Sequence, residues 1–389
     1  MRVEQIILRE IRMRLKAPFE TSFGVTQDRR ILLVDVMADG VRGWGEITTV
    51  EAPFYNSETT DTAWHIFSAF IAPLVVGQTF ESAADLSPLL DPIRGHSMAK
   101  AGMENALWDV EAQQKRLPLW KLVGGTRNEI ACGVSLGIRD SPAALVDKVE
   151  EELRSGYQRI KLKIKPGKDL DYVAAVRRAF PDILLSVDAN SAYRLADANH
   201  LAKFDEFNLL MMEQPLEWDD ILSHAKLQAQ LRTAICLDEC INNSHHASGA
   251  IDSGSCRIIN IKLGRVGGHS SARKVHDVCR ERNVPVWCGG MLESGVGRAH
   301  NVAMSTLPGF TLPGDVSASQ RYWAEDIIDP EVKVSSTGTI LARNMIGLGY
   351  EVKTKMIEGL TVRSNVWKHR APVTAQPSSE NNKEIAIHD

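Results

Sequence analysis

The sequence predicts an α/β protein whose main part is a (β/α)₈ barrel, and the first reason is a repeat in the middle of the chain. Between residues 130 and 315, eight short apolar runs each end near one polar residue and a turn. These polar residues follow one another at steps of 24 to 28 positions: Ser135, Lys163, Asp188, Glu213, Asp238, Lys262, Cys288 and Asp315. One step is about the length of a buried strand, a helix of three turns and two short loops.

The second reason is the pattern within and between these runs. The runs are almost continuously apolar, as expected for parallel strands that helices cover. Residues 269–283 place Val275 and Cys279 at helical spacing among charged residues, and residues 141–156 begin with a Ser-Pro helix start. No Gly-rich dinucleotide fingerprint follows a first strand, so we favour the closed barrel over a doubly wound open sheet.

Composition and charge exclude several classes of protein. The chain has 389 residues, is 44% hydrophobic and carries a net charge of −4, which argues against disorder and against nonspecific nucleic-acid binding. No apolar run reaches about 18 residues, so we expect no membrane span, and the charged N-terminal stretch is unlike a signal peptide. The six cysteines lack metal-site spacing. We therefore expect reduced core thiols in a cytoplasmic protein.

Five of the polar residues should meet at one mouth of the barrel, because barrel active sites lie at the carboxyl ends of the strands. They end five consecutive predicted strands: Lys163, Asp188, Glu213, Asp238 and Lys262. Three carboxylates in one cavity repel one another, and a divalent cation would relieve that repulsion. Hard oxygen ligands suit Mg²⁺, with Mn²⁺ as a substitute. The alternative is that each acid caps the next helix or pairs with an arginine.

The two lysines of this group point to proton transfer. The second and sixth strands of a barrel face each other, so a substrate would lie between Lys163 and Lys262. Lys161 lies on the same side of the strand as Lys163. The positive charge of Lys161, together with that of a metal, should lower the pKa of Lys163. A lysine with a lowered pKa is a base near neutral pH. The arrangement favours abstraction of the proton α to a carboxylate, with Mg²⁺ stabilising the enediolate.

Longer motifs resemble one known family. The Lys161-x-Lys163 pair, the three acids and Lys262 resemble the muconate-lactonizing-enzyme subgroup of the enolase superfamily, which is known for a Lys or His base acting with Mg²⁺. Seven segments are similar to the o-succinylbenzoate synthase / N-succinylamino acid racemase family: GYQRIKLKIKPGKD, SVDANSAY, MEQPL, CLDE, NIKLGRVGG, VWCGGMLESGVGRAHN and FTLPGDVSAS. The resemblance covers nearly the whole chain.

The resemblance implies an enolase-like fold, which is a modified (β/α)₈ TIM barrel with an α+β capping domain. We expect a cap, the barrel, a C-terminal segment that returns to the cap and a disordered tail, over residues 1–125, 126–318, 319–370 and 371–389. In the cap we expect a hairpin that turns at Asp39-Gly40 and two helices within residues 81–116, interrupted near Pro92. The loop at residues 19–26 would close over the mouth as a lid, unless it is a simple strand connection.

The same resemblance implies roles for the site residues. Asp188, Glu213 and Asp238 would bind Mg²⁺, while Lys163 and Lys262 would be the acid/base pair on opposite faces of the substrate. Further residues would neutralise the substrate carboxylate, line the substrate pocket or orient the groups around the metal: Lys161 for the first role, Ser135, Gly289, Gly290, Met291 and Leu292 for the second, and Asn190, Glu239 and Arg265 for the third. The resemblance also implies a small carboxylate as substrate and a homo-oligomer.

Two activities of this family are predicted first, a lyase of menaquinone synthesis that dehydrates its substrate and an isomerase that racemizes N-succinylamino acids. Dipeptide epimerases have an Asp-x-Asp pair near the eighth strand, whereas this chain has Asp315-Val316-Ser317, which disfavours that activity. Muconate cycloisomerization stays open. Arg265 is a cation three residues after Lys262 that would lower the lysine's pKa and favour racemization. A Schiff-base aldolase and a noncatalytic ligand-binding barrel are more distant alternatives, against which the five-residue set argues.

Overall fold

The chain begins with an antiparallel sheet in the computed structural model, which describes residues 1–369. The first three strands are β1 (Val3–Thr21), β2 (Gly24–Ala38) and β3 (Val41–Ile47). The β2–β3 hairpin turns at Asp39 and Gly40, whose φ angles of 48° and 74° suit a type I′ turn, so the predicted turn is confirmed. The tail that we predicted to be disordered, residues 371–389, lies outside the described residues.

Helical segments follow these strands and complete the cap. The longest of them packs against β3, where a Cβ at Gly45 would lie 2.1 Å from the carbonyl oxygen of Gly102. The two predicted helices on either side of Pro92 are confirmed. In chain order the segments are α1 (Thr60–Ile66), a π-helical turn (Phe67–Ile71), α2 (Ala72–Val75), a 3₁₀ turn (Ala83–Asp85), α3 (Leu86–Leu90), α4 (Ser97–Gln114) and α5 (Leu119–Leu122).

The middle of the chain alternates strands and helices, as the repeat predicts. After the short strand β4 (Glu129–Ala131), seven parallel strands form one curved sheet in sequence order: β5 (Gly133–Leu136), β6 (Arg159–Lys163), β7 (Leu184–Asp188), β8 (Met212–Glu213), β9 (Ile235–Leu237), β10 (Ile258–Ile261) and β11 (Val286–Cys288). The α-helices between and after them are α6 (Pro142–Arg154), α7 (Leu170–Ala179), α8 (Ala198–Leu201), α9 (Ile221–Gln228), α10 (Ser244–Asp252), α11 (Leu263–Val266), α12 (His269–Glu281) and α13 (Gly295–Ser305). Two 3₁₀ segments flank α8: Leu195–Asp197 and Ala202–Phe207.

The eighth apolar run is not a regular strand, which corrects the prediction of eight equal units. It forms two isolated parallel bridges, one between Phe310 and Val286 and one between Gly314 and Cys132. A proline has no backbone N–H to donate, and Pro313 lies between the two bridges. The bridges still join the last strand of the sheet to the start of the first. The predicted fold class, a modified (β/α)₈ barrel with an α+β cap, is therefore confirmed.

The C-terminal segment pairs with two earlier parts of the chain. After a 3₁₀ turn (Ser319–Arg321) it contains β12 (Ile328–Asp329), β13 (Thr339–Leu341), β14 (Glu351–Val352), α14 (Thr354–Leu360) and β15 (Thr361–Lys368). Strand β13 is antiparallel to β4, and β15 is antiparallel to β1 at the edge of the cap sheet. Within residues 1–369, no helix has the length and apolar character that a membrane span needs.

Candidate active site

The carboxyl ends of the parallel strands bring the five predicted polar residues to one end of the barrel. In the sheet register Lys163 of β6 pairs with Asp188 of β7, and Asp188 pairs with Glu213 of β8. Asp238 follows the last residue of β9, and Lys262 follows the last residue of β10. All five side chains are at least nine-tenths buried.

Each of the three acids is paired with at least one lysine side chain. Lys163 Nζ lies 2.6 Å from Asp188 Oδ2, and Lys262 Nζ lies 2.7 Å from Asp238 Oδ2. Lys161 Nζ bridges two acids, at 3.0 Å from Asp188 and 2.7 Å from Glu213. Among residues 1–369, no three His, Cys, Asp or Glu side chains stand together as a ready metal site. The donor set itself, three buried carboxylates on neighbouring strands, fits a hard divalent cation such as Mg²⁺.

The charges of this cluster shift its pKa values in different directions. Burial opposes the charge of Lys161, but the surrounding carboxylates outweigh burial and raise its pKa. Burial also opposes ionisation of Asp188, yet Lys163 and Lys161 hold its pKa well below the usual range. For Glu213, burial and the charge of Asp188 prevail and raise the pKa. Repulsion between the acids therefore persists beside the lysines, which is the imbalance that a divalent cation relieves.

Lys262 departs from the expectation of a lowered pKa. Burial opposes its charge, but Tyr55 and the nearby carboxylates outweigh burial and raise the pKa. Arg265, which we expected to lower this pKa, directly contacts Asp238: its guanidinium pairs with Oδ1 while Lys262 holds Oδ2. The expected lowering is thus wrong for the protein side chains alone, because the acids around Lys262 outweigh its burial.

Two residues that the sequence analysis missed complete this part of the site. The hydroxyl of Tyr55, in the cap, donates to Asp238 Oδ1 at 3.1 Å, and its ring centroid lies 4.3 Å from Lys262 Nζ. Asn260 Nδ2 donates to Glu213 Oε1 at 2.7 Å. Asn260 lies on β10 two residues before Lys262, so strand alternation was a signal for it. Tyr55 lies in a loop with no periodic signal.

Asn190 and Glu239 lie beside the acids, next to Lys163. Lys163 Nζ donates to Asn190 Oδ1 at 2.5 Å, and Asn190 Nδ2 donates to Glu239 Oε1 at 2.9 Å. Burial and then the charge of Asp188 raise the pKa of Glu239 to about 7. Asn190 also donates its backbone N–H to Asp188 Oδ1 at 3.0 Å. The pair thus connects Lys163, Asp188 and the end of β9.

One pocket opens onto the lysines, and it encloses about 510 Å³, part of which is open to solvent. Of the residues expected to line it, Ser135, Gly290 and Leu292 do so, while Gly289 and Met291 do not. A Cβ at Gly289 would lie 2.6 Å from Lys262 Cε, so this glycine packs against the lysine stem. Lining residues that the sequence analysis did not assign to the pocket are Phe19, Glu293, Arg298, Asn301, Asp315, Val316, Ser317 and Tyr322.

The predicted lid, residues 19–26, is the tip of the β1–β2 hairpin and contacts the barrel. Phe19 lines the pocket. Ser22 Oγ donates to the carbonyl of Asn190 at 3.1 Å, and the carbonyl of Glu20 accepts from Ile138 N at 3.0 Å. The cap therefore forms part of the wall of the same pocket.

Asp315, at the end of the eighth run, is engaged by two buried cations. Its Oδ1 lies 2.7 Å from Arg159 Nη2, and its Oδ2 lies 2.7 Å from Lys161 Nζ. Burial opposes the charge of Asp315, but Lys161 and Arg159 outweigh burial and lower the pKa to about 2. This carboxylate is therefore already neutralised within the protein.

Comparison with known proteins defines the class to which this fold and site belong. Residues 3–124 match the model of the mandelate racemase / muconate lactonizing enzyme N-terminal domain, and residues 144–356 match the model described as enolase C-terminal domain-like. The chain therefore belongs to the mandelate racemase / muconate lactonizing enzyme family of the enolase superfamily, a family of enzymes.

Three relatives show which members of this family the chain resembles. The chain is 51% identical over 360 residues to an o-succinylbenzoate synthase of Geobacillus kaustophilus, covering 92% of this chain and 96% of the relative. It is 45% identical over 368 residues to an N-succinylamino acid racemase of an Amycolatopsis species, covering 94% and 99%. A crystal structure of an enolase-superfamily member from Listeria innocua matches with a TM-score of 0.91 at 38% identity, covering 95% and 99%.

Proposed function

We propose that this chain removes the proton α to the carboxylate of a small substrate, as an o-succinylbenzoate synthase, an N-succinylamino acid racemase or both. One observation carries the proposal: Lys163 and Lys262 line one pocket from strand ends on either side of three buried acids. Two amines on either side of a bound carboxylate can serve both faces of its α-carbon. The similarity to proteins with these two names supports the substrate class.

Asp188, Glu213 and Asp238 would hold Mg²⁺, with Mn²⁺ as a substitute, because they are buried carboxylates at three neighbouring strand ends. The ion, when bound, would stabilise the negative charge that develops on the substrate carboxylate. Lys161, which already bridges two of these acids, would add positive charge beside that carboxylate. Tyr55, Asn260 and Asn190 would fix the orientation of the acids through the hydrogen bonds described above.

In racemization, the two lysines would exchange roles between the enantiomers. The neutral Nζ of one lysine accepts the α-proton from its face of the substrate, and the C–H electron pair moves into the enediolate. The protonated Nζ of the other lysine then donates a proton to the opposite face. The configuration is inverted, and each lysine ends in the protonation state that its partner began with.

In the synthase reaction, one lysine would serve both steps of a syn dehydration. Lys163 Nζ accepts the α-proton and then donates a proton to the departing hydroxyl, which leaves as water. Lys262 stays protonated and stabilises the enediolate from the other face. The same residues thus support both activities.

The state of Asp315 argues against dipeptide epimerization. A dipeptide substrate carries an ammonium group that needs a carboxylate partner in the pocket. Asp315 is already paired with Arg159 and Lys161, and the position two residues later is Ser317. The acyl group of an N-succinylamino acid has no ammonium group to satisfy.

The proposal is tested by assaying four activities side by side with Mg²⁺: o-succinylbenzoate synthesis, N-succinylamino acid racemization, dipeptide epimerization and muconate cycloisomerization. We expect one or both of the first two, abolished by a chelator. Lys163→Ala and Lys262→Ala should each abolish racemization but retain α-proton exchange in D₂O for one enantiomer. Lys353→Ala, a half-buried lysine that pairs with Glu325 and does not line the pocket, is the control and should keep both activities. Full racemization by Lys262→Ala would refute the two-lysine mechanism.

We also propose that the chain forms a homo-oligomer, on the strength of the family resemblance. Sedimentation equilibrium measures the molecular mass directly. A mass equal to that of one 43.0 kDa chain at all concentrations would refute this.

A further inference from the structure

One wall of the pocket is a loop with an unusual backbone conformation. This loop, Gly289–Glu293, connects β11 to α13 and is called the β11 loop below. Leu292 lines the pocket with φ at +57°, in the left-handed region that costs a branched L-residue energy. Gly289, at the other end of the loop, packs against Lys262 Cε. The position of the loop therefore affects both the pocket wall and the stem of Lys262.

The loop is held through the backbone of Met291, the residue just before the left-handed leucine. Its N–H donates to Glu293 Oε1 at 2.8 Å. Its carbonyl accepts from Arg29 Nη2 at 3.3 Å, and the same Nη2 donates to the carbonyl of Thr49 at 3.0 Å. Arg29 belongs to β2 of the cap and is 2% exposed. One guanidinium thus connects the cap sheet to the loop.

Acids near Arg29 offset part of the cost of burying its charge. The carboxylates of Glu46 and Glu293, which are buried, and of Glu51, which is exposed, favour the charge of Arg29, but burial outweighs them and lowers its pKa. Glu46 of β3 in turn accepts from Ser294 N at 3.2 Å and Gly297 N at 3.0 Å, at the start of α13. The cap therefore contacts the chain on both sides of the left-handed Leu292, through Arg29 before it and through Glu46 after it.

We propose that Arg29 is a positioning residue that holds the β11 loop in its left-handed conformation and thereby sets the position of Lys262. The inference rests on the proposed function for its kinetic consequence. It assigns a direction to that consequence: the loop contacts Lys262, whereas Lys163 contacts Asp188 and Asn190 on the far side of the pocket. Loss of Arg29 should therefore slow proton transfer by Lys262 and leave proton transfer by Lys163 unchanged.

The kinetic test compares α-proton exchange of the two enantiomers of an N-succinylamino acid in D₂O. Lys262→Ala and Lys163→Ala first assign each enantiomer to its lysine. Arg29→Lys keeps the charge but not the planar guanidinium. It should lower kcat for the Lys262-dependent enantiomer by roughly tenfold, because a leucine that is no longer held in the left-handed conformation leaves it in most molecules. Exchange of the other enantiomer should change less than about twofold. Equal losses for both enantiomers would overturn the proposal.

The matched control is Arg30→Ala. Arg30 is the next residue on the same strand, and it contacts Glu10 and Asp61, both in the cap. If Arg29 affects activity only by stabilising the cap, Arg30→Ala and Arg29→Lys should slow the exchange of both enantiomers to similar extents. We expect Arg30→Ala to leave the ratio of the two exchange rates unchanged.

A rescue experiment separates loop conformation from general damage. Glycine adopts positive φ freely, whereas alanine does not, and both remove the leucine side chain from the pocket. In the Arg29→Lys background, Leu292→Gly should therefore restore the Lys262-dependent exchange roughly tenfold relative to Leu292→Ala. Equal rates in the two double variants would show that the left-handed conformation is not what Arg29 supports.

A final measurement does not depend on the identity of the substrate. Amide hydrogen exchange of residues 289–294 in the free protein should be at least about tenfold faster in Arg29→Lys than in wild type or Arg30→Ala. Unchanged protection of this segment would overturn the proposal even if the enzyme is active. Faster exchange in a protein that shows neither activity would uphold the positioning role and refute only the proposed function.

Discussion

Asp315→Asn removes a buried carboxylate whose negative charge is balanced by two cations. The two oxygens of Asp315 each lie 2.7 Å from a cation, Arg159 on one side and Lys161 on the other, and its side chain is 7% exposed. Asparagine keeps the shape of aspartate but carries no charge. The variant therefore leaves Arg159 without its carboxylate and reduces the compensation of Lys161.

The size of the effect follows from the pKa of Asp315. The two cations lower this pKa from 3.8 to about 2 against the opposing effect of burial. At about 1.36 kcal/mol for each pKa unit, the ionised carboxylate stabilises the folded protein by roughly 2 kcal/mol at pH 7. Because the folded-state pKa is the lower one, this contribution is complete above about pH 4 to 5 and is lost as the pH falls towards 2.

Urea unfolding followed by circular dichroism, at several values between pH 7 and pH 3, measures this difference. Asp315→Asn should lose roughly 2 kcal/mol at pH 7, and its deficit relative to wild type should narrow in the acid range. The control is Asp28→Asn, since Asp28 lies at the same 2.7 Å from Arg14 but both side chains are about two-thirds exposed. That pair should contribute less than about 1 kcal/mol. Equal deficits in both variants, or a deficit for Asp315→Asn that does not change with pH, would refute the reasoning.

Three more outcomes follow from other contacts. Gly45→Ala places a Cβ 2.1 Å from a backbone oxygen of α4 and should lower the free energy of unfolding by about 1–3 kcal/mol in urea. Asp238→Asn should weaken Mg²⁺ binding at least about tenfold in calorimetric titrations, because it replaces one of three charged carboxylates with a neutral amide. Arg265→Ala should slow the Lys262-dependent α-proton exchange roughly tenfold, because Asp238 loses one of its two cations and then holds the Lys262 proton more tightly.

Two of these outcomes have a control variant, and the third has a result that would contradict it. Gly249→Ala lies in helix α10 with no atom within 4 Å of the added Cβ, so it should be neutral or stabilising, and an equal loss there would contradict the packing argument. Asp252→Asn, on the exposed side of the same helix, should leave Mg²⁺ binding unchanged. Unchanged metal affinity in Asp238→Asn would remove that acid from the proposed set. An unchanged exchange rate in Arg265→Ala would refute a role of Arg265 in racemization.

The barrel and its polar strand ends were predictable because both follow from local sequence. Parallel strands read as continuous apolar runs, and their carboxyl ends share one edge, so Asp188, Glu213 and Asp238 could be placed side by side from spacing. The eighth run was expected to be a strand because its apolar residues suggested one. Pro313 denies it a donor, and the barrel closes there through two bridges only.

The rest of the site depends on contacts between distant parts of the chain. Tyr55 reaches Asp238 across 183 positions, and Arg29 reaches Met291 across 262. No periodicity connects a cap loop to a barrel loop, so single-sequence reasoning had no signal for either contact. The charge balance was also beyond the sequence: Arg265 was expected to act on Lys262, but its guanidinium binds the acid beside that lysine.

The pairing of β15 with β1 has a consequence for the order in which the protein can be completed during translation. Strand β1 is made long before β15, yet residues 5–11 find their outer partners only in residues 361–368. At roughly 5–20 residues per second, the ribosome needs tens of seconds to supply them. Until then the cap presents an open strand edge, which is a surface that invites association with other chains. A nascent-chain chaperone that shields β1 would protect this protein from such association, and so would rapid synthesis of the remaining chain. A protein whose first sheet pairs only strands that are neighbours in sequence would need this protection less.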